Sequence, residues 1–314
     1  MHKPVLLKET IDLLKVQKGK QYIDCTFGFG GHSRKIIERD GKVLGIDVDE
    51  ESISLAKGLF SHFDNLILVS DNFRNLKEIA KRNGIEKVSG ILLDLGMSSW
   101  QIDCSGRGFS FTKNEPLDMR MDKSLKVTAS DLIKVLNKGE FYDLLSRLGE
   151  EGCARDIGIS LIRARGIKEI KSTADLAKII EGVYQQKYYG KSKKNPATKV
   201  FQAFRIAVND ELGEITRILE VAPSLLLPGG RLAIVSFHSL EDRLVKNALR
   251  AASGGDGNTS RHLPQKHETA PELTLVGRKP VIPGTEECTR NPRARSARLR
   301  IAEKRTMPEK AGDA

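Results

Sequence analysis

The chain has 314 residues, 39% hydrophobic and 30% charged, which suits one large or two modest globular domains with a real core. Lysine and arginine number 52 against 41 aspartates and glutamates, a net charge of +11. That surplus fits a polyanionic partner, because basic side chains release counterions from phosphate backbones, and fits a basic but otherwise ordinary enzyme equally well. The four cysteines, Cys25, Cys104, Cys153 and Cys288, have no metal-ligand spacing and form no disulfide framework, which argues against a bound metal and for a reducing cytoplasm.

The N-terminal stretch MHKPVLLKETIDLL carries Glu9 and Asp12 within its apolar run, so it reads as neither a signal peptide nor a membrane span. No other run is long enough to cross a bilayer. Short apolar runs at 21–26, 42–47, 66–71 and 88–96 predict strands, three of them ending on or near an aspartate. Helices are predicted between them at 33–39, 49–60 and 73–84. Asp49 makes a natural N-cap, with Glu50 and Glu51 favourable in the first turn. Strands alternating with helices predict βαβ units around a parallel sheet. The strands are almost continuously apolar, as strands buried on both faces should be.

From about 104 to 199 no strand is evident. Some ninety structureless residues do not fit a compact domain, so this stretch predicts a helical insertion with its own small core. It ends in the lysine-rich QQKYYGKSKKNPATK. Val200, Phe204, Ala207, Val208, Leu212, Ile215 and Leu219 share one face of a predicted long amphipathic helix. Pro228–Gly229–Gly230 closes the next loop, 231–237 predicts a fifth strand, and 239–250 a helix N-capped by Ser239 with Asp242 three residues on. Residues 251–270 have the composition of a flexible linker. Residues 273–282 and 296–302 predict a final antiparallel pair. The expected organisation is a discontinuous core, 1–104 and 200–305, an inserted helical domain, 105–199, and a tail, 306–314.

In a doubly wound sheet, ligands bind beyond the carboxyl ends of the strands, where strand order reverses. DCTFGFGGHS, residues 24–33, follows the first strand. Gly28 and Gly30 can take backbone angles closed to other residues and let the chain approach a ligand. Gly31 and His32 open the next helix, whose N-terminus attracts anions. Alone this is no more than a strand-to-helix turn. The second strand adds Asp47, nineteen residues past Gly28, placed to accept hydrogen bonds from a ribose diol. The two together predict a nucleoside cofactor, without separating a dinucleotide from S-adenosyl-L-methionine. Ser70–Asp71–Asn72–Phe73 brings polar groups and an aromatic to the third strand tip, and Asp94 ends the fourth.

The segments HKPVLLKETID, DCTFGFGGHS, GILLDLGMSS, GRGFSF, PLDMRMD, ATKVFQAFRIAVNDEL, PGGRLAIVSFHSLEDRLVK and NPRARSARLRIAE resemble the RsmH (MraW) family, in order from residue 2 to about 303. The resemblance implies a class I S-adenosylmethionine-dependent methyltransferase: a Rossmann-like α/β fold, mostly parallel and seven-stranded, with an inserted helical domain. It implies methylation of N4 of a cytosine in the decoding region of 16S rRNA, with S-adenosyl-L-methionine as cofactor and the small ribosomal subunit as partner. It also implies cofactor contacts at Gly30, Gly31, His32, Asp47, Phe73, Asp94 and Gln101, all of the family's residue type. Departures are Cys25 for a small residue, Trp100 for a proline, Cys104–Ser105 for an acidic position, and Leu148 for a tyrosine before Gly149–Glu150–Glu151. Trp100 changes the shape expected of the Gln101 loop.

Cytosine's amino nitrogen is a poor nucleophile that must be held in line with the methyl, its N–H bonds aimed at acceptors. Asp94 is the catalytic candidate for that acceptor. The target base must leave its stack, and Trp100, Phe109, Phe111 and Phe237 are candidates to hold it, although each also suits a core position. His238, just past the fifth strand, is a substrate-side candidate. For gripping RNA, Arg293, Arg295, Arg298 and Arg300 form one basic run, with Arg298 and Arg300 expected to face outward. Lys187, Lys191, Lys193, Lys194 and Lys199 form another. Three other classes compete. A nucleotide-dependent oxidoreductase lacks a recognisable catalytic set. A DNA amino-methyltransferase would carry Pro-Pro-aromatic where this chain has Leu95–Gly96–Met97. A non-catalytic assembly factor would have no use for intact cofactor contacts.

Overall fold

The computed structural model describes residues 4–188, 195–255 and 271–306. In chain order the regular elements are α1 (Leu7–Leu13), β1 (Gln21–Asp24), α2 (Gly31–Ile37), β2 (Lys42–Asp47), α3 (Glu50–Leu59), β3 (Leu66–Ser70), α4 (Leu76–Arg82) and β4 (Val88–Asp94). Then come α5 (Ser99–Asp103), α6 (Ala129–Val135), α7 (Lys138–Gly149), α8 (Ala154–Ile167), α9 (Thr173–Tyr188), α10 (Ala197–Asn209) and α11 (Glu211–Leu225). The last are β5 (Leu226–Ser236), α12 (Ser239–Ala252), β6 (Leu273–Leu275), α13 (Thr285–Arg290) and β7 (Arg298–Lys304).

The seven strands form one sheet in the order β3-β2-β1-β4-β5-β7-β6. β1 to β5 are parallel, and β7 runs antiparallel between β5 and β6. Strand order reverses between β1 and β4, the place where a doubly wound sheet opens a crevice. Strand alternation divides the core into two layers. Ile23, Leu44, Ile46, Ile91, Leu93, Leu232 and Ile234 face the layer holding α4, α11 and α12. Tyr22, Val43, Leu92, Ala233 and Val235 face the layer holding α1, α2 and α3. Both faces are covered, which is why the strands read as unbroken apolar runs. Asp49 caps α3 by accepting the Glu51 N–H at 3.3 Å, as its position predicts.

Contacts divide the chain into two compact units, 1–96 with 212–314, and 97–211. The sequence places these boundaries at 104/105 and 199/200. The shift has a physical cause. The single amphipathic helix predicted over 200–219 is two helices, broken at Asp210, whose φ of 47° is left-handed. Val200, Phe201, Phe204 and Val208 of α10 belong to the core of the 97–211 unit, whereas Ile215 and Leu219 of α11 belong to that of the sheet. The 97–211 unit has its own core around α7 and α10, where Phe141 and Phe204 meet edge-on at 6.4 Å. Its first part, 104–128, is irregular rather than helical.

Other boundaries move for local reasons. β5 starts at Leu226 because Pro228–Gly229–Gly230 forms an irregularity within the strand, shifting register between Val88 and Gly90. β6 is only three residues long, and Val281 touches Leu299 through one isolated bridge. Residues Pro292–Ser296 form a 3-10 turn, so β7 begins at Arg298. No helix among the described residues is long and apolar enough to cross a membrane. Of the expected linker and tail, residues 256–270 and 307–314 lie outside the described residues.

Candidate active site

The tips of β1, β2 and β4 converge on the glycine loop. Gly28 (φ 52°) and Gly30 (φ 69°) both take left-handed angles, which only glycine adopts without strain. That turn lets the Gly28 N–H donate to Asp47 Oδ2 at 2.6 Å, while Asp47 Oδ1 accepts the Asp49 N–H at 2.9 Å. Burial raises the Asp47 pKa to about 6 against these stabilising bonds. Asp24, also buried, accepts from the Ser33 hydroxyl at 2.7 Å and the Thr26 N–H at 3.2 Å, and its pKa too is raised to about 6, mainly by burial. It braces the turn, as its position at the strand end suggests.

Gly30 and Gly31 have a different necessity from the one read in the sequence. A Cβ on Gly30 would lie 2.5 Å from the Phe27 ring and 2.6 Å from that of Phe60, and one on Gly31 would lie 2.9 Å from Pro4. The protein's own side chains fill that space. At Gly28 a Cβ would meet only Asp47 Oδ2, at 4.0 Å. The approach for a ligand is therefore open at Gly28 and closed on the Cβ side of Gly30 and Gly31.

His32 is 4% exposed. Its Nε2 lies 3.1 Å from the Val5 carbonyl, so that nitrogen donates and ties the N-terminal segment to α2. Its Nδ1 lies 3.5 Å from Asp94 Oδ2. The Asp94 N–H donates to Thr26 Oγ1 at 2.6 Å, which fixes the strand tip. Asp94 Oδ1 is buried and has no hydrogen-bond partner among the described residues. The Asp94 pKa is raised well above the ordinary carboxylate range, first by burial and then by the charges of Asp24 and Glu241. Phe73 opens a 3-10 turn at the tip of β3, beside β2, where the Asp71 N–H donates to the Asp47 carbonyl. Thus Gly28, Gly30, His32, Asp47, Phe73 and Asp94 share one end of the sheet.

The other candidates have local partners. Gln101 lies in the 97–211 unit and completes a capping box with Ser98: its Oε1 accepts the Ser98 N–H at 3.0 Å. In the same unit the Arg107 guanidinium sits 5.9 Å from the Trp100 ring and 5.5 Å from that of Phe109. Phe109 is 7% exposed and Phe111 packs edge-on against Phe201, so both serve the core of that unit. Phe237 packs partly buried in the core on the α1–α3 side of the sheet, with its ring 3.4 Å from where a Cβ on Gly96 would lie.

His238, rather than Ser239, caps α12. Its box partner is Glu241, whose Oε2 accepts the Phe237 N–H at 2.7 Å. Asp242 instead pairs with Arg300 at 2.7 Å and Arg298 at 2.8 Å. Arg300 is correspondingly drawn in, 13% exposed, and does not face outward as the strand alternation predicts; Arg298 is half-exposed. Arg293 and Arg295 stand exposed on the turn before β7. In the lysine stretch, Lys187 pairs with Asp156 at 2.8 Å and Lys199 donates to the Glu150 carbonyl at 2.6 Å. Lys191, Lys193 and Lys194 lie outside the described residues.

Thr26 and Glu241 were missed as contributors. Thr26 sits in the glycine loop, where a hydroxyl two residues past Asp24 is a usable signal. Glu241 reads as an ordinary helix residue, and only the tertiary fold brings its charge to Asp94.

A sheet ordered β3-β2-β1-β4-β5-β7-β6 with one antiparallel strand, carrying acidic tips around a glycine loop, defines a class I S-adenosylmethionine-dependent methyltransferase. Its residues fit that cofactor: the Asp47 carboxylate suits a ribose diol, the space beside Gly28 is open, and the orphaned Asp94 Oδ1 calls for a donor. The model of the MraW methylase family matches residues 1–305, and the chain belongs to that family. The ribosomal RNA small subunit methyltransferase H of Methylobacterium nodulans is 44% identical, covering 98% of this chain and 91% of its own. Those of Bradyrhizobium diazoefficiens and Finegoldia magna are 41% and 40% identical, over 99% and 96% of this chain and 94% and 98% of their own.

Proposed function

We propose that the protein transfers a methyl group from S-adenosyl-L-methionine to the exocyclic N4 of a cytosine in the decoding region of small-subunit rRNA. The observation that carries the chemistry is Asp94, a largely enclosed strand-tip carboxylate, 14% exposed, whose buried Oδ1 has no hydrogen-bond partner among the described residues and whose proton affinity is raised. Its Thr26 bond fixes the strand backbone, and His32 faces the other oxygen. The free Oδ1 is left to accept an N–H from the target amino group.

The cofactor supplies an electrophilic methyl on a sulfonium; the chain's own residues position and deprotonate. An N–H directed at Asp94 orients the nitrogen lone pair. As the N–C bond forms and the methyl–sulfur bond breaks, releasing S-adenosylhomocysteine, positive charge develops on nitrogen next to Asp94 Oδ1, which accepts the amino N–H. The nitrogen then sheds one proton, and burial makes Asp94 a better base for it than an exposed aspartate. Asp47 would hold the ribose end of the cofactor, with Gly28 and Phe73 at the same end of the sheet. Family membership and near-full-length relatives named for small-subunit rRNA support the substrate.

Asp94→Asn keeps the shape and removes the base. Tritium transfer to small-subunit rRNA should fall at least about 100-fold in kcat, with the cofactor Kd changed less than about fivefold. Wild-type kcat would overturn the role of Asp94. A large loss of cofactor affinity with kcat intact would make it a cofactor anchor instead.

A further inference from the structure

Away from the strand tips, a shallow cleft lies at the β6–β7 edge of the sheet. Lys246 and Arg250 of α12 line one side, Arg278 and Lys279 the other, with Leu275 and Arg300 between. Arg300 is neutralised by Asp242. The nearby acids are also taken: Glu272 pairs with Lys304 and Glu303 with Arg231. Lys246, Arg250, Arg278 and Lys279 have no ion pair among the described residues. Many other cations on this unit stand beside an acid, such as Arg39 with Asp12, Arg82 with Asp71 and Arg217 with Glu214. Four uncompensated positive charges lining one concave surface repel one another, and an anion relieves that repulsion.

We propose that this cleft docks backbone phosphates of the RNA substrate, at a site separate from the strand-tip crevice. Two arginine forks and two ammonium groups suit phosphate oxygens, which accept charge-assisted hydrogen bonds. Placement fits the role. α12 starts at the tip of β5, on the active-site end, and Lys246 and Arg250 follow Ser239 by seven and eleven residues. At 1.5 Å per residue the cleft lies roughly 10–17 Å along the helix from that end. It thus holds nucleotides flanking the reacting base rather than the base itself. The basic residues singled out in the sequence lie beside it: Arg298 and Arg300 share Asp242 at its border.

The inference rests on RNA being the substrate, and its test separates the two. Lys246, Arg250, Arg278 and Lys279 are all changed to Gln. A second variant carries only Arg278→Gln and Lys279→Gln, which sit outside any helix and spare α12. The Kd for a small-subunit rRNA fragment is measured by fluorescence anisotropy across a salt series, beside the Kd for S-adenosylmethionine by calorimetry. The quadruple variant should bind RNA at least about tenfold more weakly and the pair about threefold. The salt slope should fall by up to about 3, at roughly 0.7 per phosphate contact on a single strand. Cofactor affinity should not change. An unchanged RNA Kd and slope in both variants would overturn the proposal, as would inorganic phosphate binding the cleft of a protein whose RNA affinity ignores these residues. Wild-type protein that transfers no methyl to small-subunit rRNA would overturn the substrate instead.

Discussion

Asp47→Asn separates cofactor binding from folding at one atom pair. In the wild type both carboxylate oxygens accept backbone N–H groups, from Gly28 and Asp49. The folded pKa lies near 6, against 3.8 for the ordinary group. Burying the charge therefore costs stability on the order of 3 kcal/mol at neutral pH. The sign follows from proton binding. Between about pH 4 and 6 the folded state holds the proton more firmly, so stability falls as pH rises through that window, and the cost is complete above it. Asparagine removes this cost but offers one acceptor oxygen for two donors, leaving one N–H unsatisfied at about 1–3 kcal/mol. The two effects nearly cancel, so the cofactor-free variant should melt within about 4 °C of the wild type. Affinity has no such compensation. Losing one charge-assisted bond from the ribose diol costs about 1.5–3 kcal/mol, a roughly tenfold to hundredfold weaker Kd. Calorimetric titration and thermal unfolding on the same preparations read both quantities. An unchanged Kd would refute the ribose contact. A melting point lowered by more than about 10 °C would show that Asp47 serves the fold.

The same carboxylate sets a pH dependence: S-adenosylmethionine affinity should be lost as pH falls through about 6, and Asp47→Asn should flatten that profile. A wild-type Kd constant from about pH 5 to 8 would contradict it. Gly30→Ala should destabilise the fold by about 2–5 kcal/mol, from left-handed strain at φ 69° and overlap with the Phe27 and Phe60 rings. Urea unfolding checks this, and a loss under about 1 kcal/mol would mean those rings move aside freely. Asp242→Ala should cost about 3–5 kcal/mol by stranding the largely buried Arg300. The double change with Arg300→Met should recover much of that loss in the same unfolding assay.

The residues that carry periodicity or local capping were legible. Strand alternation through Ile23, Leu44 and Ile91, and the Asp49 cap, depend on neighbours close in sequence. The gathering of Gly28, Asp47 and Asp94 at one end of the sheet was legible too, because glycine angles and strand-tip acids mark the strand ends directly. What escaped depends on tertiary partners. The break at Asp210 is invisible in a pattern that stays apolar across it, since α10 and α11 each continue an amphipathic face into a different core. Arg300 reads as an outward cation until Asp242, 58 residues earlier in the chain, draws it in. The cap on α12 moved one residue because an imidazole nitrogen can accept an N–H as a serine hydroxyl does. The unpaired cleft cations come from α12 and the stretch after β6, which no single window of sequence joins.

The most direct test of the central claim is to incubate the purified protein with isotopically labelled S-adenosylmethionine and small ribosomal subunits lacking the modification, then map the label by mass spectrometry of nuclease fragments. The account predicts one labelled methyl on the exocyclic nitrogen of a single cytosine in the decoding region. A methyl on carbon, on ribose or on another base, or no transfer from an S-adenosylmethionine-binding protein, would contradict it.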